Sequence, residues 1–114
     1  MKKILIASLL ALGLTQISAA KSVSPVTTLI KLYTYGDAAV MKLANPAPDE
    51  GCTYGAAGEF LSIDIGSEGG KVLYSAILSA FVSGSKVRIA SDGCNNVWGA
   101  GKSLPQAYRI ELRR

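Results

Sequence analysis

Apolar and polar residues alternate in several short segments of the chain, and this period of two predicts β-strands. Residues 58–66 place Leu61, Ile63 and Ile65 on one side of a strand. The opposite side of that strand carries Phe60, Ser62 and Asp64. Residues 85–90 direct Val87 and Ile89 inward, and 107–114 alternate in the same way. Each of these segments therefore predicts one strand with a buried side.

The first half of the chain adds a predicted strand over residues 26–36, which is rich in β-branched and aromatic residues. Gly36 and Asp37 then form a plausible tight turn, so residues 37–45 predict a hairpin partner, with a short helix as the alternative. Prolines and Gly51 interrupt regular structure over residues 45–51. Residues 21–25 are interpreted as a polar lead-in.

Between the third and fourth main strands the apolar period changes to that of a helix. Ser67 is a suitable N-cap, and Gly84 suits the left-handed position that ends helices. The predicted apolar stripe consists of Val72, Leu73, Ala76, Ile77, Ala80 and Phe81. One helix within a run of short strands predicts a mainly β (α+β) fold, as a small five- or six-stranded barrel. Residues 91–102 are interpreted as a loop with Asp92-Gly93 as its turn.

The first 20 residues have the pattern of a secretory signal peptide. Lys2 and Lys3 precede an uncharged apolar run, and small residues then lead to a cleavage point before Lys21. We therefore expect a bacterial protein that is secreted or periplasmic, with one mature domain over residues 21–114. Removing the two lysines leaves 10 basic and 8 acidic residues, without the basic stripe that nucleic-acid binding needs.

Two cysteines in an exported chain predict one disulfide, between Cys52 and Cys94. The alternative is a redox pair, but redox cysteines usually lie close together in sequence. A domain of this size gains much of its stability from such a crosslink. We therefore favour a structural disulfide.

The block around the helix and the following strand resembles a group of small secreted bacterial proteins of mostly unassigned function. The residues that carry this resemblance are Lys71, Tyr74, Ser75, Gly84, Val87, Ile89, Gly93, Cys94, Pro105 and Tyr108. About twenty residues are also similar to the receptor-binding subunits of subtilase-type and typhoid-type AB5 toxins. Those subunits are OB-folds that bind sialylated glycans and form pentamers. The resemblance implies an OB-like barrel with the disulfide, and it transfers no sugar-binding residue.

The chain contains no histidine, which removes the commonest general base and the commonest metal ligand. A Ser-His-Asp or Cys-His site is excluded, and the disulfide would consume both thiols. Among the carboxylates Asp64 is the most interesting, although acidic residues in alternating strands usually face water. We therefore expect no enzyme, no cofactor and no metal site.

One loop has the residues of a small ligand site, because it joins an aromatic ring to amides. Trp98, Asn95 and Asn96 follow Cys94 directly, and Tyr54 lies beside Cys52. The alternative is that Trp98 packs over the disulfide as part of the core. Tyr33 and Tyr35 either share an outward face or line the barrel.

These residues predict a non-catalytic binding module that recognises a glycan or another cell-surface component. The alternative is a structural or assembly protein of the envelope that acts through protein partners. A homo-oligomer is compatible with either function. No membrane span is expected after cleavage, because the apolar run is shorter than the roughly 20 residues that a span needs.

Overall fold

The computed structural model describes residues 21–114, so the predicted signal peptide lies outside the described residues. The described chain contains six strands and one helix. These elements are β1 (Lys21–Val23), β2 (Leu29–Tyr35), β3 (Ala38–Leu43), β4 (Phe60–Asp64), α1 (Glu68–Ser83), β5 (Lys86–Asn95) and β6 (Leu104–Arg113). Within residues 21–114, no helix is both long enough and apolar enough to cross a membrane.

All six strands join one sheet in the order β1-β5-β6-β4-β3-β2. Every pairing is antiparallel except β4 with β6, which is parallel and pairs Ser62 with Gln106. The disulfide between Cys52 and Cys94 is formed. The predicted α+β class, single helix and disulfide are therefore confirmed.

The predicted position of the helix in the strand order is wrong, because α1 lies between β4 and β5. The difference arises from β1, which adds a strand where the sequence predicted only a polar lead-in. Its three residues pair with Ala90–Asp92 of β5. Ser24, which follows β1, is fully buried, and its hydroxyl accepts a hydrogen bond from the Ile89 N–H at 2.9 Å. A segment this short carries no recognisable period, so only its tertiary partner makes it a strand.

The predicted closed barrel is also wrong, because the sheet remains open. Between β1 and β2 the chain contacts β5 at two points. The Ser24 N–H donates to the Ile89 carbonyl at 2.8 Å, and Thr27 and Val87 exchange backbone hydrogen bonds of 2.9 and 2.8 Å at an isolated bridge. β1 already occupies the neighbouring edge of β5, and Pro25 between them has no N–H to donate. A closing strand would need that edge, so β2 cannot extend its pairing along β5.

The hairpin interpretation of residues 37–45 is confirmed, since β2 and β3 pair antiparallel and Gly36 has a φ of 64° in the turn. The main core lies between the sheet and α1. It includes Ala39, Met41, Leu43, Leu61, Ile63, Ile77, Ala80, Val87 and Ile89. The inward assignments of β4 and β5 are thus confirmed at these positions.

The predicted ends of α1 are confirmed, but its predicted apolar stripe is partly wrong. The Ser67 hydroxyl accepts a hydrogen bond from the Gly70 N–H at 3.0 Å, and Gly84 has a left-handed φ of 70°. Ile77 and Ala80 are buried, whereas Val72 remains 71% exposed. Leu73 packs against the core as predicted, and Tyr74 packs there in place of Val72.

The predicted loop over residues 91–102 begins too early, because β5 continues to Asn95. The pairing of β5 with β6 is irregular between Ala90 and Cys94, and Gly93 has a φ of 78°. Asp92-Gly93 therefore forms a bulge within a strand, where the sequence indicated a turn. This extension carries Cys94 and Asn95 on the sheet itself.

Candidate functional site

The sheet has a second face, directed away from the core, which we call the outer face. Paired residues in a sheet share a face, so the row Tyr33–Val40–Ser62–Gln106 across β2, β3, β4 and β6 lies on it. Alternate positions add Tyr35 and Asp64 at one end, and Lys42 and Phe60 at the other. The outer face thus runs from the β2–β3 turn to the start of β4.

Three aromatic side chains, which we call the aromatic cluster, meet at the Phe60 end of the outer face. Tyr54 and Trp98 have ring centroids 4.6 Å apart, and Phe60 lies 5.9 Å from Trp98 and 6.3 Å from Tyr54. All three contacts are edge-to-face, the favourable geometry for aromatic pairs. All three residues are half-buried, so the cluster keeps part of its surface open to solvent.

Tyr33 extends this aromatic surface along β2. Partial burial raises the pKa of the Tyr33 hydroxyl above its ordinary value, and the neighbouring Tyr54 and Tyr35 raise it further. Lys42 adds a cation, with its Nζ 5.5 Å from the centroid of the Phe60 ring. The outer face therefore presents five of the eight aromatic residues of the chain.

The loop that carries Tyr54 is fixed to β6 by reciprocal hydrogen bonds. The Ser103 N–H donates to the Thr53 hydroxyl at 3.0 Å, and the Thr53 N–H donates to the Ser103 hydroxyl at 2.9 Å. The Tyr54 N–H donates to the Ser103 carbonyl at 3.1 Å. Ser103 is buried, so these bonds are shielded from water. Tyr54 is thereby held in place beside Trp98 before any ligand binds.

The same loop is tied to β5 in two further ways. The disulfide joins Cys52 to Cys94, and the Glu50 carboxylate accepts hydrogen bonds from the Ser91 hydroxyl and the Gly93 N–H. The backbone of Glu50 is left-handed, with a φ of 54°, a conformation that costs a non-glycine residue free energy. These two carboxylate bonds and the adjacent crosslink hold it there.

A groove of about 410 Å³ lies at the opposite end of the outer face, between the β2–β3 turn and the end of β5. Its volume is within the usual range for small-ligand sites. Its lining residues are Tyr35, Gly36, Asp37, Ala38, Asp64, Asn95, Asn96, Val97 and Gln106. Because Tyr35 is 54% exposed, its ring offers an apolar surface at the edge of this groove.

The structure divides the predicted ligand residues between two places. Tyr54 and Trp98 meet in the aromatic cluster, whereas Asn95 and Asn96 line the groove. Trp98 is neither in the buried core nor fully exposed. Its position is therefore intermediate between a ring exposed for ligand binding and a ring packed in the core.

Sequence reasoning missed the contributions of Phe60, Asp37 and Gln106 to this surface. The alternation of residues 58–66 already placed Phe60 and Asp64 on the side opposite the core, which was the available signal. Gln106 had no such signal, because it joins the site only through the parallel pairing of β6 with β4.

The chemical groups on the outer face and in the groove are aromatic rings, amides and carboxylates. Among residues 21–114, no group of three Cys, Asp or Glu side chains is placed to hold a metal ion. The exposed rings, amides and carboxylates can form apolar contacts and hydrogen bonds with a polyhydroxylated ligand.

The chain was compared with protein-family models, with curated proteins and with solved structures, and it matches none of them. Its function is therefore argued from its own residues.

Proposed function

We propose that this protein is a secreted or periplasmic binding module that recognises a glycan on the outer face of its sheet. The observation that carries the proposal is the concentration of aromatic rings there, together with a groove lined by amides and carboxylates. Sugar rings have apolar C–H faces and polar edges, so they bind where an aromatic surface adjoins hydrogen-bonding groups. The disulfide fits an oxidising compartment.

The resemblance to OB-like domains supports the same face. In that fold, oligosaccharides bind against the central strands, between the loop after the first strand and the loop between the last two. Here the corresponding segments are the β2–β3 turn and the chain between β5 and β6, which flank the groove. At the groove end of this face Tyr35 and Asp64 are exposed, whereas Val40 and Ser62 in its central row are buried.

Rigid placement of Tyr54 supports affinity as well as specificity. Three hydrogen bonds with Ser103 and the disulfide fix its loop in the unliganded protein. A ligand that contacts the ring then loses less of its binding free energy to the ordering of the loop.

The test is a glycan-array screen of the oxidised chain, with Tyr35→Ala and Trp98→Ala beside the wild type. We expect the wild type to bind one or more glycans, and each variant to bind at least about tenfold more weakly, since hot-spot aromatics contribute about 2 kcal/mol or more. Phe81→Ala is the matched control, because Phe81 is 37% exposed on α1 and remote from the outer face. Absence of glycan binding, or equal loss in all three variants, would contradict the proposal.

A second function, assembly through protein partners, is favoured by the solvent side of α1. Val72 and Val82 are 71% and 77% exposed, and Leu78 is 42% exposed. The segment from 72 to 83 contains no charged residue. Sedimentation of the wild type and of Val82→Lys would distinguish a self-associating helix face from a solvent-exposed one.

A further inference from the structure

The lining of the groove carries negative charge, and this charge limits which ligands the groove can bind. Its charged lining residues are Asp37 and Asp64, and among residues 21–114 neither a Lys nor an Arg lines it. Both aspartates lie against Gly66, since a Cβ built there would be 3.2 Å from Asp64 Oδ1 and 3.7 Å from Asp37 Cβ. The two aspartate side chains therefore lie close together at this end of the groove.

We infer that the groove selects glycans without negative charge, with neutral and amino sugars as the ligand class. This inference rests on the proposed function. Ionised carboxylates only accept hydrogen bonds, so their partners on a ligand must be donors such as hydroxyl or ammonium groups. A ligand carboxylate or sulfate supplies no donor and is repelled by both aspartates.

The amide side chains complete a surface that suits hydroxyl groups. Asn95, Asn96 and Gln106 each offer both donors and an acceptor. A sugar hydroxyl can donate to an aspartate and accept from an amide at the same time. The exposed ring of Tyr35 lies at the edge of these groups and can contact a C–H face.

The ligand is expected to extend beyond one sugar unit, because a second groove adjoins the first. It has a volume of about 240 Å³ and shares Asp64 and Gln106 with the first groove. Its far side reaches Tyr108, which is 49% exposed. Gly69 in the first turn of α1 leaves this passage open, since an added Cβ would meet no atom within 4 Å.

The N-terminus of α1 does not make the second groove an anion-binding site. Glu68 lies in the first turn and offsets the positive end of the helix dipole. The Gly70 N–H already donates to the Ser67 hydroxyl. The selectivity proposed here differs from that of the toxin subunits, which bind sialylated glycans.

Titration calorimetry with three probes tests the inference: a neutral N-acetyllactosamine oligomer, the same oligomer ending in sialic acid, and a glucosamine oligomer. We expect the neutral or the glucosamine oligomer to bind at least about tenfold more tightly than the sialylated form. Asp64→Asn should weaken the preferred probe about tenfold and narrow the difference from the sialylated form. Asparagine retains the acceptor that the Gly66 N–H needs, so the local turn survives.

Glu111→Gln is the matched control, because it also removes one exposed carboxylate but lies beyond the groove on β6. Its binding should equal that of the wild type. Equal or tighter binding of the sialylated oligomer would overturn the charge inference and leave the glycan-binding function standing. Binding of none of the three probes, combined with an empty glycan array, would overturn both.

Discussion

At the scale of single residues, two adjacent glycines in the first turn of α1 differ sharply in their surroundings. A Cβ at Gly69 would meet no atom within 4 Å, whereas at Gly70 it would lie 1.5 Å from the Asp64 carbonyl oxygen. Alanine is favoured over glycine in helices by about 1 kcal/mol, so Gly69→Ala should raise the free energy of unfolding by up to that amount. Gly70→Ala should lower it by about 3 kcal/mol, because α1 must move away from β4. Chemical denaturation of both variants measures the difference.

Each glycine variant serves as the control for the other, since both change the same residue type in the same helical turn. Similar effects of the two substitutions would show that α1 approaches β4 less closely than the structure indicates. This contrast was not visible in the sequence, which shows only two consecutive glycines at these positions. Local propensity treats the two positions alike, and only the packing of α1 on β4 separates them.

At the scale of elements, the sequence predicted what local chemistry determines. The ends of α1 follow from Ser67 and Gly84, which act within one turn of the helix. β1 and the second half of β5 depend instead on partners far away in the chain. Asp92-Gly93 has the composition of a turn, but pairing with β6 converts it into a bulge. Elements defined by such long-range pairing carry no local signal to read.

The loop that carries Tyr54 is the element whose ties can be tested separately. Replacing Cys52 and Cys94 together by serine should lower the free energy of unfolding by about 4 kcal/mol in the chain-entropy account. The near-ultraviolet circular dichroism of the folded variant should still resemble that of the wild type. Glu50, Thr53 and Ser103 continue to hold the loop through hydrogen bonds.

Ser103→Ala is the complementary variant. It removes the two hydrogen bonds that the Ser103 hydroxyl forms with Thr53, while the disulfide stays intact. We expect it to alter the aromatic circular dichroism, and to cost about 1–3 kcal/mol for the unsatisfied partner. If the variant with Cys52→Ser and Cys94→Ser is folded but loses its near-ultraviolet circular dichroism signal, the disulfide alone positions Tyr54.

At the scale of the whole molecule, the candidate site could be predicted only in parts. Trp98, Asn95 and Asn96 were found because they are consecutive and follow a cysteine. Their division between the aromatic cluster and the groove depends on the register of β5 with β6. The outer face joins β2, β3, β4 and β6, and it is the face of the sheet opposite the core that α1 covers. A barrel was expected because the sequence does not show that β1 occupies the edge of β5. That pairing exists only in the assembled sheet.

Alkaline stability offers a whole-molecule measurement of this outer face. Burial of Tyr33, with Tyr54 and Tyr35 nearby, raises the pKa of Tyr33 above the unfolded value of about 10. The folded state therefore favours the neutral phenol. This contribution to stability is fully present below the unfolded pKa and is lost as the pH rises through the higher folded pKa. The free energy of unfolding should fall over that window, and Tyr33→Phe should make the decline shallower.

Denaturation at a series of alkaline pH values, with tyrosinate absorbance recorded in parallel, measures both the stability and the titration of Tyr33. Tyr108→Phe is the control, because Tyr108 is 49% exposed and is not among the tyrosines that affect the pKa of Tyr33. Its removal should leave the Tyr33-dependent part of the decline unchanged. If Tyr33→Phe and Tyr108→Phe give the same pH dependence, Tyr33 is as solvated as an exposed tyrosine. Tyr33 would then add no packed ring to the outer face, since a ring that water surrounds gains little from its neighbours.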